Sequence, residues 1–245
     1  MRNDILNDII QQVRYHLVSL KRNGTSSVFF EEYRNDGAQT VPFILENPLS
    51  QTENTCSVSS LEELALSVHN CSRCEELVKN RTHVVFGSGN KHSRLMFIGE
   101  APGHDEDIQG LPFVGNAGRL LTKMLAAIGL SREEVYIANV IKCRPPENRN
   151  PLPDEVQNCA EFLHQQIEYI NPEIICTLGS VATRNLLQTE TPITQLHGQR
   201  LNWHGIPVLP TFHPSYLLRS PHMKKEAWRD LITLMRIISE QAIVV

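Results

Sequence analysis

Leu95-Met96-Phe97-Ile98-Gly99-Glu100-Ala101-Pro102-Gly103 reads as a buried strand running into a tight turn. Four consecutive apolar residues without alternation suit a strand covered on both faces, as in a parallel sheet. Gly99 ends the run, and the small residues after it let backbone approach a ligand closely. The same rhythm repeats downstream. Asn116 caps an expected helix with Leu120, Leu121, Met124, Leu125 and Ile128 on one face, closed by Gly129. Residues 135–141 read as a second strand and 154–170 as a second long helix, and the segments 174–178, 179–187, 208–212 and 224–238 continue the alternation. Four such units argue an α/β fold with a mainly parallel sheet covered on both faces by helices. Chemistry in these folds sits at the carboxyl ends of the strands, here just after Ile98, Ile141, Leu178 and Phe212.

Upstream, Ile5, Leu6, Ile9, Ile10, Val13, Leu17 and Leu20 recur at helical spacing and predict an amphipathic helix over residues 3–20, stopped by Asn23-Gly24. Residues 35–59 are mostly polar and read as a linker. Ser60 with Glu63 then forms a capping box for a short helix reaching His69. The expected organisation is an N-terminal extension over residues 1–60 and one domain over 61–245. The chain has 245 residues, 41% of them hydrophobic, enough for a sizeable core. With 23 basic and 27 acidic residues it is not a polycation that coats nucleic acid, but a local basic rim is compatible with that balance. Lys142, Arg144, Arg149, Arg200, Arg219, Lys224 and Lys225 are the rim candidates. No apolar run approaches the roughly 18–20 residues of a membrane helix, so no membrane partner is expected. Asp4 and Asp8 stand where a signal peptide wants positive charge, which makes a cytoplasmic location the expectation.

The cysteines are the first chemical signal. Cys71 and Cys74 form a C-x-x-C at the end of the short helix, Cys143 follows the second strand, and Cys159 lies in the next helix. Four thiolates are the count needed by tetrahedral zinc or by an iron–sulfur cluster, and spacing does not choose between them. Ligands from separated segments would be stapled together, which is a structural role. Cys176, in mid-strand, reads as core, and Cys56 falls in the linker.

The strand ends carry the second signal. After the first strand the turn continues into His104-Asp105-Glu106-Asp107, which composition alone reads as a solvated acidic loop; it is not a phosphate loop. Pro112-Phe113-Val114-Gly115 frames an aromatic just before a helix. Asn139 lies in the second strand, followed by Lys142-Cys143-Arg144-Pro145-Pro146-Glu147-Asn148-Arg149. After the fourth strand comes His213-Pro214-Ser215-Tyr216-Leu217-Leu218-Arg219. An aromatic face, an amide and an imidazole at one sheet edge suit a flat heterocycle such as a nucleobase.

With these motifs in order, the sequence from about Cys71 to Arg229 resembles the family 4, iron–sulfur uracil-DNA glycosylases. The resemblance implies a three-layer αβα sandwich around a four-stranded parallel sheet, and a structural [4Fe–4S] cluster on Cys71, Cys74, Cys143 and Cys159. It implies a monofunctional DNA-repair hydrolase, a monomer acting on uracil-containing DNA, single- or double-stranded, that releases uracil and leaves an abasic site. Phe113 would stack on the flipped base, with Gly99 and Ala101 beside it. Asn139 would pair with its N3 and O4 edge, and His213 would hydrogen-bond O2 as charge develops there. Ala101 stands where other families of the superfamily carry an Asp base, which leaves Glu100, Glu106 and Asn148 as candidates to position water or stabilise the sugar. Ser215, Leu217, Leu218 and Arg219 would form the DNA-contacting turn, with Leu217 or Leu218 as a wedge. Residues 1–60 are outside the resemblance; a protein partner for their helix is an expectation from its apolar stripe. The rival readings are a non-catalytic DNA sensor and a zinc nuclease, the latter disfavoured because no Asp, Glu and His cluster offers an open metal position.

Overall fold

The computed structural model describes residues 60–241. The expected helix at 3–20, the linker and Cys56 lie outside the described residues. Helix α1 (Leu61–His69) begins where expected, with the Glu63 N–H donating to Ser60 Oγ at 3.2 Å. Then follow α2 (Glu75–Asn80), β1 (Ser88–Gly89), β2 (Leu95–Gly99), α3 (His104–Gln109), α4 (Asn116–Ala127) and β3 (Tyr136–Asn139). A 3-10 turn (Pro146–Asn148) leads to α5 (Pro153–Ile170), β4 (Ile174–Leu178), α6 (Ser180–Leu187), α7 (Ile193–Leu196), β5 (Leu201–Trp203) and β6 (Ile206–Thr211). The chain closes with α8 (Pro214–Arg219) and α9 (Lys224–Gln241). Among the described residues no helix is long and apolar enough to cross a membrane.

The sheet order is β1-β3-β2-β4-β6-β5. β3, β2, β4 and β6 are mutually parallel, in registers that pair Met96 with Tyr136 and Ile175, and Ile175 with Val208. These are the four strands expected from the apolar runs. Two short antiparallel edge strands, β1 and β5, extend the sheet to six.

Alternate residues of each strand feed two cores. Met96, Ile98, Tyr136, Ala138, Ile175 and Val208 pack with α1, α5 and α6 on one face. Leu95, Phe97, Ile137, Ile174, Cys176 and Leu209 pack with α4 and α9 on the other. Burial of each large aliphatic side chain contributes about 1.5–3 kcal/mol, which is why these strands read as unbroken apolar runs. Two local readings need correcting. Gly115, not Asn116, caps α4, and Asn116 is its first residue. The acidic stretch after Gly103 is helix α3 rather than a solvated loop: the buried Asp107 carboxylate accepts the backbone N–H groups of Thr82 and His83.

Candidate active site

β2 is where the parallel strand order reverses, since β3 lies on one side of it and β4 on the other. A crevice opens at such a point, outside the carboxyl ends of the strands. Here it is a cleft of about 560 Å³. Glu100 and Ala101 enter it after β2, Asn139 and Asn148 from β3 and its following turn, Gly179, Ser180 and Val181 after β4, and His213, Ser215, Tyr216 and Arg219 after β6. Phe113 and Glu106 complete the wall.

Phe113 is buried and holds a left-handed backbone, φ +54°. Bulky L-residues avoid that region, so the surrounding structure must impose it. Two glycines make the room. A Cβ on Gly118, in α4, would collide with the Phe113 carbonyl; one on Gly99 would run into the tip of the Phe113 ring and Asn139 Oδ1. Glu106 fixes the turn from the amide side: its carboxylate accepts from Val114 N–H (2.9 Å), Gly115 N–H (2.8 Å) and Gly103 N–H (3.2 Å). The Phe113 and His213 rings lie 5.6 Å apart, tilted by 37°.

Asn139 is 1% exposed, and its Oδ1 has no hydrogen-bond partner. A buried acceptor without a donor costs roughly 1–3 kcal/mol, so the atom stands ready for an N–H that a ligand supplies. His213 lines the same cleft. Its Nδ1 accepts the Ser215 N–H at 3.1 Å and lies 2.7 Å from Ser215 Oγ. Burial, with Arg219 adding to it, holds the imidazole down at about 4, so the ring is neutral at physiological pH and carries its proton on Nε2. Glu100 is pushed up from the usual carboxylate range by burial, and its carboxylate has no hydrogen bond among the described residues.

Arg144 donates to Asn148 Oδ1 (2.8 Å) and His104 Nδ1 (3.1 Å), tying the turn after β3 to the start of α3. Several expected contacts move. Leu217 is 1% exposed and packs in the core beside α4, whereas Leu218 is 43% exposed; successive residues of α8 point to different sides, so Leu218 is the one that faces out. Lys142 is not on the rim. It is fully buried and donates to the Asn139 carbonyl (2.8 Å) and to Gln166. Arg149 does border the cleft, its guanidinium paired with Glu155 and Glu76, and Arg200 pairs with Glu240. The residues after Leu178 stood at a strand end that the parallel-sheet rule marks, yet no side chain in Gly179-Ser180-Val181 signalled a role.

On the α5 face, Cys143 and Cys159 lie in the core, with Cys71 and Cys74 packed against it. Cys143 is within electrostatic reach of Cys71 and Cys74, and Cys159 of Cys143 and Cys74. Arg81 donates to Cys143 Sγ (3.1 Å) and Asn158 to Cys74 Sγ (3.4 Å). Burial pushes the Cys159 thiol up to about 11 and raises Cys143 as well. Among the described residues no three His, Cys, Asp or Glu side chains are spaced to hold a single metal ion. Cys176 is buried in β4, as core.

The chain belongs to the uracil DNA glycosylase superfamily. The family model of that description matches residues 86–232. The chain is 49% identical over 162 residues to the type-4 uracil-DNA glycosylase of Thermotoga maritima, across 65% of this chain and 84% of that protein. It is 44% identical over 181 residues to the type-4 uracil-DNA glycosylase of Archaeoglobus fulgidus, across 71% and 90%. The Saccharolobus solfataricus type-4 enzyme is 42% identical over 195 residues, across 76% and 90%.

Proposed function

We infer that this chain is a uracil-DNA glycosylase, a monofunctional DNA-repair hydrolase that cleaves the N-glycosidic bond of deoxyuridine and leaves an abasic site. The observation that carries this reading is the unpaired, buried Oδ1 of Asn139, set beside the Phe113 ring and in one cleft with a neutral His213. Uracil offers an N3–H where cytosine offers an acceptor, so the orphan oxygen favours uracil. Phe113 takes the face of the flipped base, and His213 Nε2–H meets O2. As the bond to the sugar lengthens, negative charge grows on O2, and a fixed donor there stabilises the transition state by about 3–4 kcal/mol.

Among the three carboxylate and amide candidates for handling water or the cationic sugar, Glu100 is favoured. Its oxygens are uncommitted, whereas Glu106 is occupied by three backbone N–H groups and Asn148 by Arg144. Glu106 then acts as a support for the Phe113 turn. Flipping removes the base from its stack at a cost of a few kcal/mol. Exposed Leu218 serves as the wedge that replaces it, and Arg219 and Ser215 lie beside the strand. The DNA substrate, single- or double-stranded, is the macromolecular partner, and the protein works as a monomer.

Cys71, Cys74, Cys143 and Cys159 are proposed to hold a structural [4Fe–4S] cluster. Two features support the fit. The four thiols lie within mutual electrostatic influence at one edge of the core, and N–H donors from Arg81 and Asn158 point at two of the sulfurs, as the thiolates of a cluster favour. When bound, the cluster ties α2, the turn after β3 and α5 together and takes no part in the hydrolysis. A reducing cytoplasm, which keeps such cysteines as thiols, is the compartment this reading requires.

The test is a labelled oligonucleotide containing one uracil, treated with protein and then alkali, beside a thymine control. Uracil-dependent breaks that weaken about tenfold or more in Asn139→Ala, which removes the Oδ1 acceptor, are the expected result. No breaks from cluster-loaded wild-type protein would move the reading to a DNA-binding sensor.

A further inference from the structure

Arg132 lies in the connection between α4 and β3, nineteen residues beyond Phe113, and does not line the cleft. Its guanidinium reaches back to the Phe113 turn. One nitrogen donates to the Phe113 carbonyl (2.8 Å) and another to the Pro112 carbonyl (2.7 Å). Two donors in a fixed plane match two successive carbonyls, a geometry that a lysine ammonium does not reproduce. The group is half-buried; burial disfavours its charge, and Glu133 and Glu106 favour it. Glu106 meanwhile grips the next two amides, those of Val114 and Gly115. The peptide from Pro112 to Gly115 is thus clamped at two carbonyls and two N–H groups, around the one residue whose φ is +54°.

We propose that Arg132 is a positioning residue for the base: its fork holds Phe113 in the left-handed conformation that lays the ring against Gly99 and Asn139. The proposal rests on the uracil reading of the cleft for its chemistry, but the contact it names is local. Without the fork, two half-buried carbonyls lose their donors and nothing on that side resists relaxation of φ toward negative values. The ring then leaves the wall, and the base loses its stacking face. Arg132 also precedes β3, the strand that ends in Asn139, so one residue ties the stacking loop to the strand that reads the base edge.

The experiment is a double-mutant cycle of Arg132→Met and Phe113→Leu, with Arg132→Lys as the conservative variant, all assayed well below each melting temperature. Misplacing the ring by about an ångström is expected to lower kcat/KM by roughly 10–100-fold in Arg132→Met, with weaker inhibition by free uracil. Arg132→Lys should recover only part of the loss. In the Phe113→Leu background the Arg132→Met effect should vanish, because the residue through which it acts is gone. An equal loss in both backgrounds, or no loss in the first, overturns the proposal. A second readout does not depend on turnover. In protein labelled with fluorophenylalanine, the Phe113 resonance, identified by its absence in Phe113→Leu, should shift or broaden in Arg132→Met while the other phenylalanines hold. If the wild type releases no uracil, the uracil reading fails by itself, and this spectrum decides the present point: a moved resonance supports Arg132 as the clamp, and an unmoved one overturns it.

Discussion

The Ser215 backbone N–H donates to His213 Nδ1 at 3.1 Å, and this bond settles which ring nitrogen faces the cleft. With Nδ1 occupied as an acceptor, the neutral ring turns an Nε2–H donor toward the base. An imidazolium would serve O2 as well, yet burial keeps the ring uncharged, with its folded value at about 4 against 6.5 in the unfolded chain.

A pH dependence follows, with a definite sign. Above about 6.5 the ring is neutral in both states, and its contribution to stability is fully present. As pH falls from 6.5 toward about 4, the unfolded chain takes up the proton first, so stability declines through that window. Glycosylase activity should stay level from pH 8 to near pH 5 as far as this group is concerned. His213→Ala should lower kcat by roughly 10²–10³ at pH 7 and abolish the His213 part of the stability slope between pH 6.5 and 4, read by denaturant titration. The His213 resonance, identified by its absence in His213→Ala, titrating near 6.5 by NMR would contradict the buried, neutral ring.

Gly118 carries a second expectation. A methyl group there has nowhere to go, because the Phe113 carbonyl occupies its place against α4. Gly118→Ala should destabilise the protein by about 1–3 kcal/mol, the usual range for overpacking, and should displace the Phe113 turn. Thermal melting reads the first effect and free-uracil inhibition the second. Gly129→Ala is the contrasting case. Its Cβ would meet open space, and the cost there is confined to the left-handed backbone, φ +77°. Its melting temperature should fall while uracil inhibition stays at the wild-type value.

The cysteine centre gives the third. Protein purified without oxygen should contain iron and acid-labile sulfide in equal amounts and absorb in the visible. Cys143→Ser should lose both signals, whereas Cys176→Ser, altered within the core of β4, should keep them. Loss of a staple worth a few kcal/mol should lower the melting midpoint by roughly 10 °C. Retention of full iron content by Cys143→Ser would remove that residue from the ligand set.

The parallel core was legible because each of its strands is an unbroken apolar run, and the strand ends led to Asn139 and His213. The edge strands were not, since Ser88–Gly89 and Leu201–Trp203 are too short for any period to show. α3 was hidden for a different reason. Its residues are acidic and loop-like in composition, and what holds the segment as a helix is tertiary: Glu106 binding Gly103 and Asp107 binding Thr82 and His83. Lys142 looked like a surface cation until Gln166 and the Asn139 carbonyl were seen to surround its ammonium. The choice between Leu217 and Leu218 needed the phase of α8, which six residues do not reveal.

That phase has a mechanical consequence. His213 is the cap of α8 and Leu218 lies five positions along, so the exposed leucine and the imidazole are carried by one short rod. At 1.5 Å per residue they stand about 7.5 Å apart along the axis. The two residues therefore move as one piece: a displacement of α8 that shifted the exposed leucine would carry the imidazole with it.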